Sequence, residues 1–145
     1  MSCPDLLVCP APTAPAPCCL LCIEDNPVNG LLLQEYFGRL LGLPVQVAET
    51  GAEGLALARG SRPMALLLDL MLPDMSGLQV LALLRADPRM HDLPVVVISG
   101  QVDPEEWAAA SALGAISCWP KPLDLAGLRR LLQRDLPEVA RHCIA

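Results

Sequence analysis

The sequence predicts an α/β fold built on a parallel sheet, and three observations carry that prediction. From Cys18 onward, an apolar run, a turn and an amphipathic helix follow one another five times at the spacing of βα units. The runs Met64 to Leu68 and Pro94 to Ile98 are continuous rather than alternating, as strands covered on both faces require. The groups that close the runs are chemically pointed: Glu24-Asp25, Asp69, Ser99 and Lys121-Pro122. Strand carboxyl ends in such a sheet share one edge, so these groups should converge there.

Taken in order, Leu20 to Ile23 reads as the first strand, with a helix through about Leu41 behind it. Asn26 caps that helix and Pro27 suits its first turn, where a missing N–H loses no partner. Val45 to Ala48 is the second strand, and Thr50 caps a short helix expected to end at Gly60. The third strand, Met64 to Leu68, ends on Asp69. Gly77 to Ala86 follows as a helix whose inward face carries Leu78, Leu81 and Leu84 or Ala82. Three valines and an isoleucine make Pro94 to Ile98 a central strand. Asp103-Pro104-Glu105-Glu106 starts the fourth helix and Gly114 ends it. Ala115 to Trp119 is the last strand, placed at an edge by Pro120. Asp124 caps a final helix with Leu125, Leu128, Leu131 and Leu132 inward and Arg129, Arg130 and Arg134 toward water, and Pro137 stops it.

The chain's 145 residues, 53% of them hydrophobic, suffice for one domain with a packed core. Its apolar runs fall far short of the roughly 20 residues that span a bilayer, so no membrane segment is expected. The proline-rich start, with Pro10, Pro12, Pro15 and Pro17, has no basic leader region and reads as an extended linker over residues 1–17. The domain is expected over 18–136, with a tail over 137–145. Seven cysteines fit reduced thiols and a cytoplasmic location. Cys18, Cys19 and Cys22 lack the further ligands zinc needs, and read as a thiol-rich entry into a buried strand. A net charge of −6 with no basic stripe argues against direct nucleic-acid contact.

A carboxylate at the end of a buried strand is costly unless a cation compensates it, and Glu24 and Asp25 would add two more on a neighbouring strand. A hard divalent ion, magnesium, relieves that repulsion. With it, Asp69 has the chemistry of a carboxylate nucleophile toward phosphorus, Lys121 can neutralise a phosphoryl oxygen, and the Ser99 hydroxyl can donate to another. Each residue taken singly also has an inert role as a helix-start acid, a turn former or a solvated charge. Taken jointly, the inert account needs four coincidences at four strand ends.

Four motifs now stand together: Leu20-Leu21-Cys22-Ile23-Glu24-Asp25-Asn26-Pro27-Val28-Asn29; Leu66-Leu67-Leu68-Asp69 through Pro73-Asp74-Met75-Ser76-Gly77; Val97-Ile98-Ser99-Gly100; and Lys121-Pro122-Leu123-Asp124. From Cys18 to about Arg134 the chain resembles the receiver domain of two-component response regulators. The Glu-Asp-Asn-Pro-Val-Asn run is similar to receivers of hybrid histidine kinases. The resemblance implies a flavodoxin-like, doubly wound five-stranded parallel sheet in the order 2-1-3-4-5 with helices on both faces. It implies that Asp69 takes phosphate from a phosphohistidine on a histidine kinase or histidine phosphotransfer protein, with Ser99 and Lys121 assisting. Asp25 and Asp69 should ligate Mg2+ directly, Glu24 through water and Met71 through its backbone carbonyl, and the Lys121–Pro122 bond should be cis. The domain would phosphorylate itself and lose the group slowly, rather than act as an enzyme with an external product. Its output would be contacts with a downstream protein, at the surface of the fourth helix, fifth strand and fifth helix.

One departure stands out. Receivers usually carry Tyr or Phe three residues before the lysine, and here that position is Cys118, with Trp119 beside it. Either Trp119 substitutes through a shifted strand or signalling relies on the Ser99 loop and the helix after it; the preferred role for Trp119 is packing in an edge strand. Trp107 is expected to be a partly exposed packing residue. Met71 and Gln101 sit where, in this family, hydrolytic water approaches, and Met71 cannot orient it, which implies an intermediate or long phosphoryl lifetime. Two other classes compete. A haloacid-dehalogenase-like phosphohydrolase wants a second acid where Met71 stands; a pseudo-receiver would not need the intact acids and Lys121, and a flavin module of similar topology would need a phosphate-cradling Ser/Thr/Gly loop that does not follow the first strand.

Overall fold

The computed structural model of the chain describes residues 19–101, 103–137 and 139. The expected linker over 1–17, Cys18, and residues 138 and 140–145 of the expected tail lie outside them. Five parallel strands form one sheet: β1 (Leu20–Ile23), β2 (Val45–Ala48), β3 (Ala65–Asp69), β4 (Val95–Ser99) and β5 (Ser117–Pro120). Their order is β2-β1-β3-β4-β5, the 2-1-3-4-5 arrangement.

Each strand's alternate side chains enter different cores. Leu21, Ile23, Leu66, Leu68, Val95 and Val97 pack under α2 (Gly51–Ser61), α3 (Gly77–Ala86) and α4 (Pro104–Ala112). Leu20, Cys22, Leu67 and Val96 pack under α1 (Pro27–Leu33) and α5 (Leu125–Asp135), where Leu33, Phe37, Leu128 and Leu132 are fully buried. Burial on both faces is why the runs are continuous rather than alternating. No helix among the described residues is long and apolar enough to cross a membrane.

Local chemistry sets the helix starts. Asn26, Thr50, Asp103 and Asp124 each accept an amide hydrogen bond from the first turn that follows, and Ser76 forms a reciprocal capping box with Gln79. Pro27 and Pro104 occupy first-turn positions. Gly114 follows α4 at φ 86°, as expected for a helix end.

Four details differ from the sequence reading. The first helix widens into a π-helical stretch over Gln34–Leu40. The α2 helix runs past Gly60 to Ser61, and the left-handed position after it belongs to Arg62 at φ 50°. On α3 Val80 is buried while Ala82 is exposed, because the helix turns its 77-80-81-84 stripe inward. Arg129 is half-buried rather than water-facing, and its Nε has no hydrogen-bond partner among the described residues.

Candidate functional site

Parallel pairing brings the strand ends into line. Ile23 lies beside Leu68, Asp69 beside Ile98, and Ser99 beside Pro120. The residues that follow or close these strands therefore meet at one rim. Carboxylate oxygens of Glu24, Asp25 and Asp69 all lie within 4.8 Å of one another. Glu24 is fully buried, Asp69 is 3% exposed, and Asp25 faces solvent.

Lys121 closes the cluster. Its Nζ stands 2.8 Å from Asp69 Oδ2 and 2.7 Å from Glu24 Oε1. The lysine is placed there by a backbone hydrogen bond from its amide to the Ser99 carbonyl, 3.0 Å, and it precedes a cis bond to Pro122. On the other side the Met71 amide donates to Asp69 Oδ1 at 3.0 Å, so the chain turns tightly around the carboxylate. The Met71 side chain is 78% exposed and takes no part in that contact.

Charge is distributed unevenly in this group. Burial pushes the Glu24 carboxyl above its usual range and neighbouring Asp69 reinforces the effect; hydrogen bonds from Lys121 and Asn29 oppose it without cancelling it. Burial acts upward on Asp69 too. There, the contacts with Glu24 and Lys121 and the Met71 amide hydrogen bond outweigh burial and hold Asp69 below its usual range. Burial alone would lower Lys121, but its two acidic partners raise it. The rim thus presents an ionised Asp69 beside a firmly protonated ammonium. One oxygen, Glu24 Oε2, is buried with no hydrogen-bond partner among the described residues.

Ser99 is buried at the same rim, but its hydroxyl is hydrogen-bonded to the carbonyl of Gln101, and the Gln101 amide returns to it at 3.3 Å. Glu24, Asp25, Asp69 and Lys121 are brought together, and Ser99 stands at the end of β4 with its hydroxyl turned into its own loop. The sequence reading assigned no role to Asn29, whose amide donates to Glu24 Oε1. Its signal was available: an amide in the first turn of a helix that starts directly after the strand bearing the acid.

Glycine sets the floor of the site. A Cβ at Gly77 would lie 2.4 Å from the Asp69 carbonyl oxygen and 2.7 Å from Leu70 Cα, so α3 begins against the backbone that carries the carboxylate. The loop between them is pinned at its far end by Asp74, which accepts from the Gly51 and Ala52 amides at 2.7 and 2.9 Å.

Cys118 lies beside Val97 and packs into the core under α2, α3 and α4, while Trp119 packs into the opposite core. A Cβ at Gly127 would come within 2.9 Å of the Trp119 ring, which places that ring against α5. Trp119 is an edge-strand packing residue, on the face of β5 opposite to Cys118. Trp107 is half-buried against the same core as Cys118. Cys19 and Cys22 are buried in or beside β1, and burial raises the Cys22 thiol, with Glu24 and Asp69 adding to the shift.

Residues 20–133 match the family model described as the response regulator receiver domain. The chain is 34% identical over 129 residues to the DNA-binding dual master transcriptional regulator RpaA of Synechocystis, covering 85% of this chain and 53% of that protein. It is 37% identical over 108 residues to the response regulator MprA of Mycobacterium tuberculosis, covering 72% of this chain and 46% of that one. The chain thus spans about half the length of these curated relatives. Among solved structures it is similar to the receiver domain of a sensor histidine kinase from Pseudomonas aeruginosa that has a magnesium ion coordinated in its active-site cleft. That match has a TM-score of 0.71 at 28% identity and covers 82% of this chain and 97% of that one.

Proposed function

The chain belongs to the response regulator receiver domain family, and from that premise we propose that Asp69 accepts a phosphoryl group from a phosphohistidine on a histidine kinase or histidine phosphotransfer protein. The observation that carries the proposal is the imbalance at the rim: three carboxylates within 4.8 Å, one ammonium, and a buried Glu24 oxygen with no partner. That donor set fits Mg2+, a hard ion that takes oxygen ligands and keeps several waters. Asp25, Asp69 and the Met71 carbonyl would hold it directly and Glu24 through water. When bound, magnesium supplies positive charge beside the transferring phosphoryl oxygens.

The chain's own residues account for the rest. An ionised Asp69 oxygen attacks phosphorus and forms an acyl phosphate. The P–N bond to the donor histidine breaks with its electron pair going to the imidazole nitrogen, which takes up a proton. Lys121, already on Asp69 Oδ2, pairs with an incoming phosphoryl oxygen. Ser99 joins only by giving up its bond to Gln101, which makes it the group that registers arrival. Met71 offers no polar side chain to orient hydrolytic water, so the acyl phosphate is proposed to have an intermediate or long lifetime.

The readout is proposed to be altered protein contact at the surface of α4, β5 and α5, in the cytoplasm. The chain's −6 charge supports an output that does not pass through direct contact of this domain with nucleic acid. The test is incubation with acetyl phosphate and magnesium followed by intact-mass measurement. One phosphoryl group per chain is expected in the wild type and none in Asp69→Asn. Labelling that survives the substitution would overturn the assignment.

A further inference from the structure

The opposite rim of the sheet carries a second concave site that the phosphoacceptor chemistry does not use. A cavity of about 320 Å³ lies where the chain enters β3 and β4, floored by Met64, Leu93, Pro94 and Leu136 and edged by Arg62 and Arg89. A second hollow of about 420 Å³ adjoins it, shares Arg62, Arg89 and Met90, and brings in Arg59 and His91. In a chain of net charge −6, this is a local concentration of guanidinium groups.

The charges there do not cancel. Asp87 pairs with Arg59 at 3.3 Å and with Arg89 at 3.5 Å, which orients both. Asp92 also lines both hollows, and His91 turns its Nδ1 to the Pro88 carbonyl at 2.9 Å. Arg62 has no ion-pair partner among the described residues, so one cation is left over.

Arg62 is also the one non-glycine residue with positive φ among the described residues, at φ 50° and ψ 65° directly after α2. A helix end of this geometry is normally served by glycine, which adopts it without steric cost. Here the strained position holds an exposed guanidinium with no ion-pair partner among the described residues, on a cavity also lined by Met64, Leu93 and Leu136. Strain retained at a cavity edge is a mark of function rather than of packing.

We infer that this groove binds a small organic anion, a phosphate or carboxylate head on an apolar body, with Arg62 and Arg89 on the head and the Met64–Leu93–Leu136 floor under the body. The cavity volume suits such a ligand. The site is independent of Asp69 chemistry. It is tested on the full 15N-labelled chain, free of divalent ions, by titration with phenyl phosphate.

Amide shifts should cluster at Arg62, Arg89, Met90 and Leu93 and leave Lys121 still. Arg62→Gly should weaken binding about tenfold, the loss of one charge-assisted contact. The same variant should raise Tm by about 4 °C as the backbone strain goes, which separates lost binding from lost folding. Inorganic phosphate should bind more weakly than phenyl phosphate. Equal binding of the two would reduce the groove to an unspecific cation patch and overturn the inference. So would shifts centred on Lys121, an absence of saturable shifts at millimolar ligand, or unchanged binding by Arg62→Gly.

Discussion

Glu24 is costly for the protein to keep. Its Oε1 is shared by Lys121 and Asn29, while Oε2 is buried with no hydrogen-bond partner among the described residues. Glutamine at this position keeps the acceptor and removes a charge that burial penalises. Glu24→Gln is therefore expected to stabilise the metal-free protein by about 1 kcal/mol in urea unfolding, and to weaken magnesium binding measured by calorimetry. A stabilised variant that binds magnesium unchanged would remove Glu24 from the proposed ligand set. At this scale the sequence was informative wherever strand ends decide the outcome, because Glu24, Asp69 and Lys121 had to meet once the strands were parallel. It was silent where rotation of a side chain decides, as with the Ser99 hydroxyl, which faces Gln101.

At the scale of elements, the β3–α3 connection is held at both ends. Gly77 lets α3 start against the Asp69 carbonyl, and the contacts a Cβ would meet are backbone, which cannot swing away. Gly77→Ala should cost about 2 kcal/mol by overpacking. Because the shift falls on Asp69 itself, it should also slow labelling by acetyl phosphate about tenfold or more. At the other end, the Gly51 and then the Ala52 amide hold the Asp74 carboxyl below its usual range. A depressed carboxyl contributes stability above its unfolded pKa and loses it as pH falls through the folded one. Asp74→Asn should lower the urea midpoint at neutral pH, and the gap from wild type should close as acidification protonates the wild-type carboxyl.

Element starts were legible because caps are local chemistry, as Asn26, Thr50, Asp103 and Asp124 show. The end of α2 was not: Gly60 looked like the stop, yet the left-handed turn falls on Arg62. Arg85 was missed for a different reason. Its guanidinium donates to the Leu113 and Leu93 carbonyls at 2.6 and 2.8 Å, tying the end of α4 to the entry of β4, and such long-range partners leave no mark in a local pattern.

For the molecule as a whole, the sheet divides the two tryptophans. Trp107 on α4 shares a core with Cys118 and follows the Ser99 loop, whereas Trp119 is seated against α5. Loading the site with beryllofluoride and magnesium should change Trp107 emission and leave Trp119 emission constant, read in the Trp119→Phe and Trp107→Phe variants. A response confined to Trp119 would move the signal to the other layer. Strand periodicity predicted five βα units and burial on both faces, but strand order came only from resemblance, since no local pattern states which strands are neighbours.

The edge strand β5 has a further consequence. It is only four residues long, pairs only with β4 among the described residues, and ends in Pro120, which has no N–H to offer. A foreign backbone laid along that border would find an incomplete ladder, so this border resists zipping into fibrils when crowded. Whatever docks there must recognise side chains rather than extend the sheet.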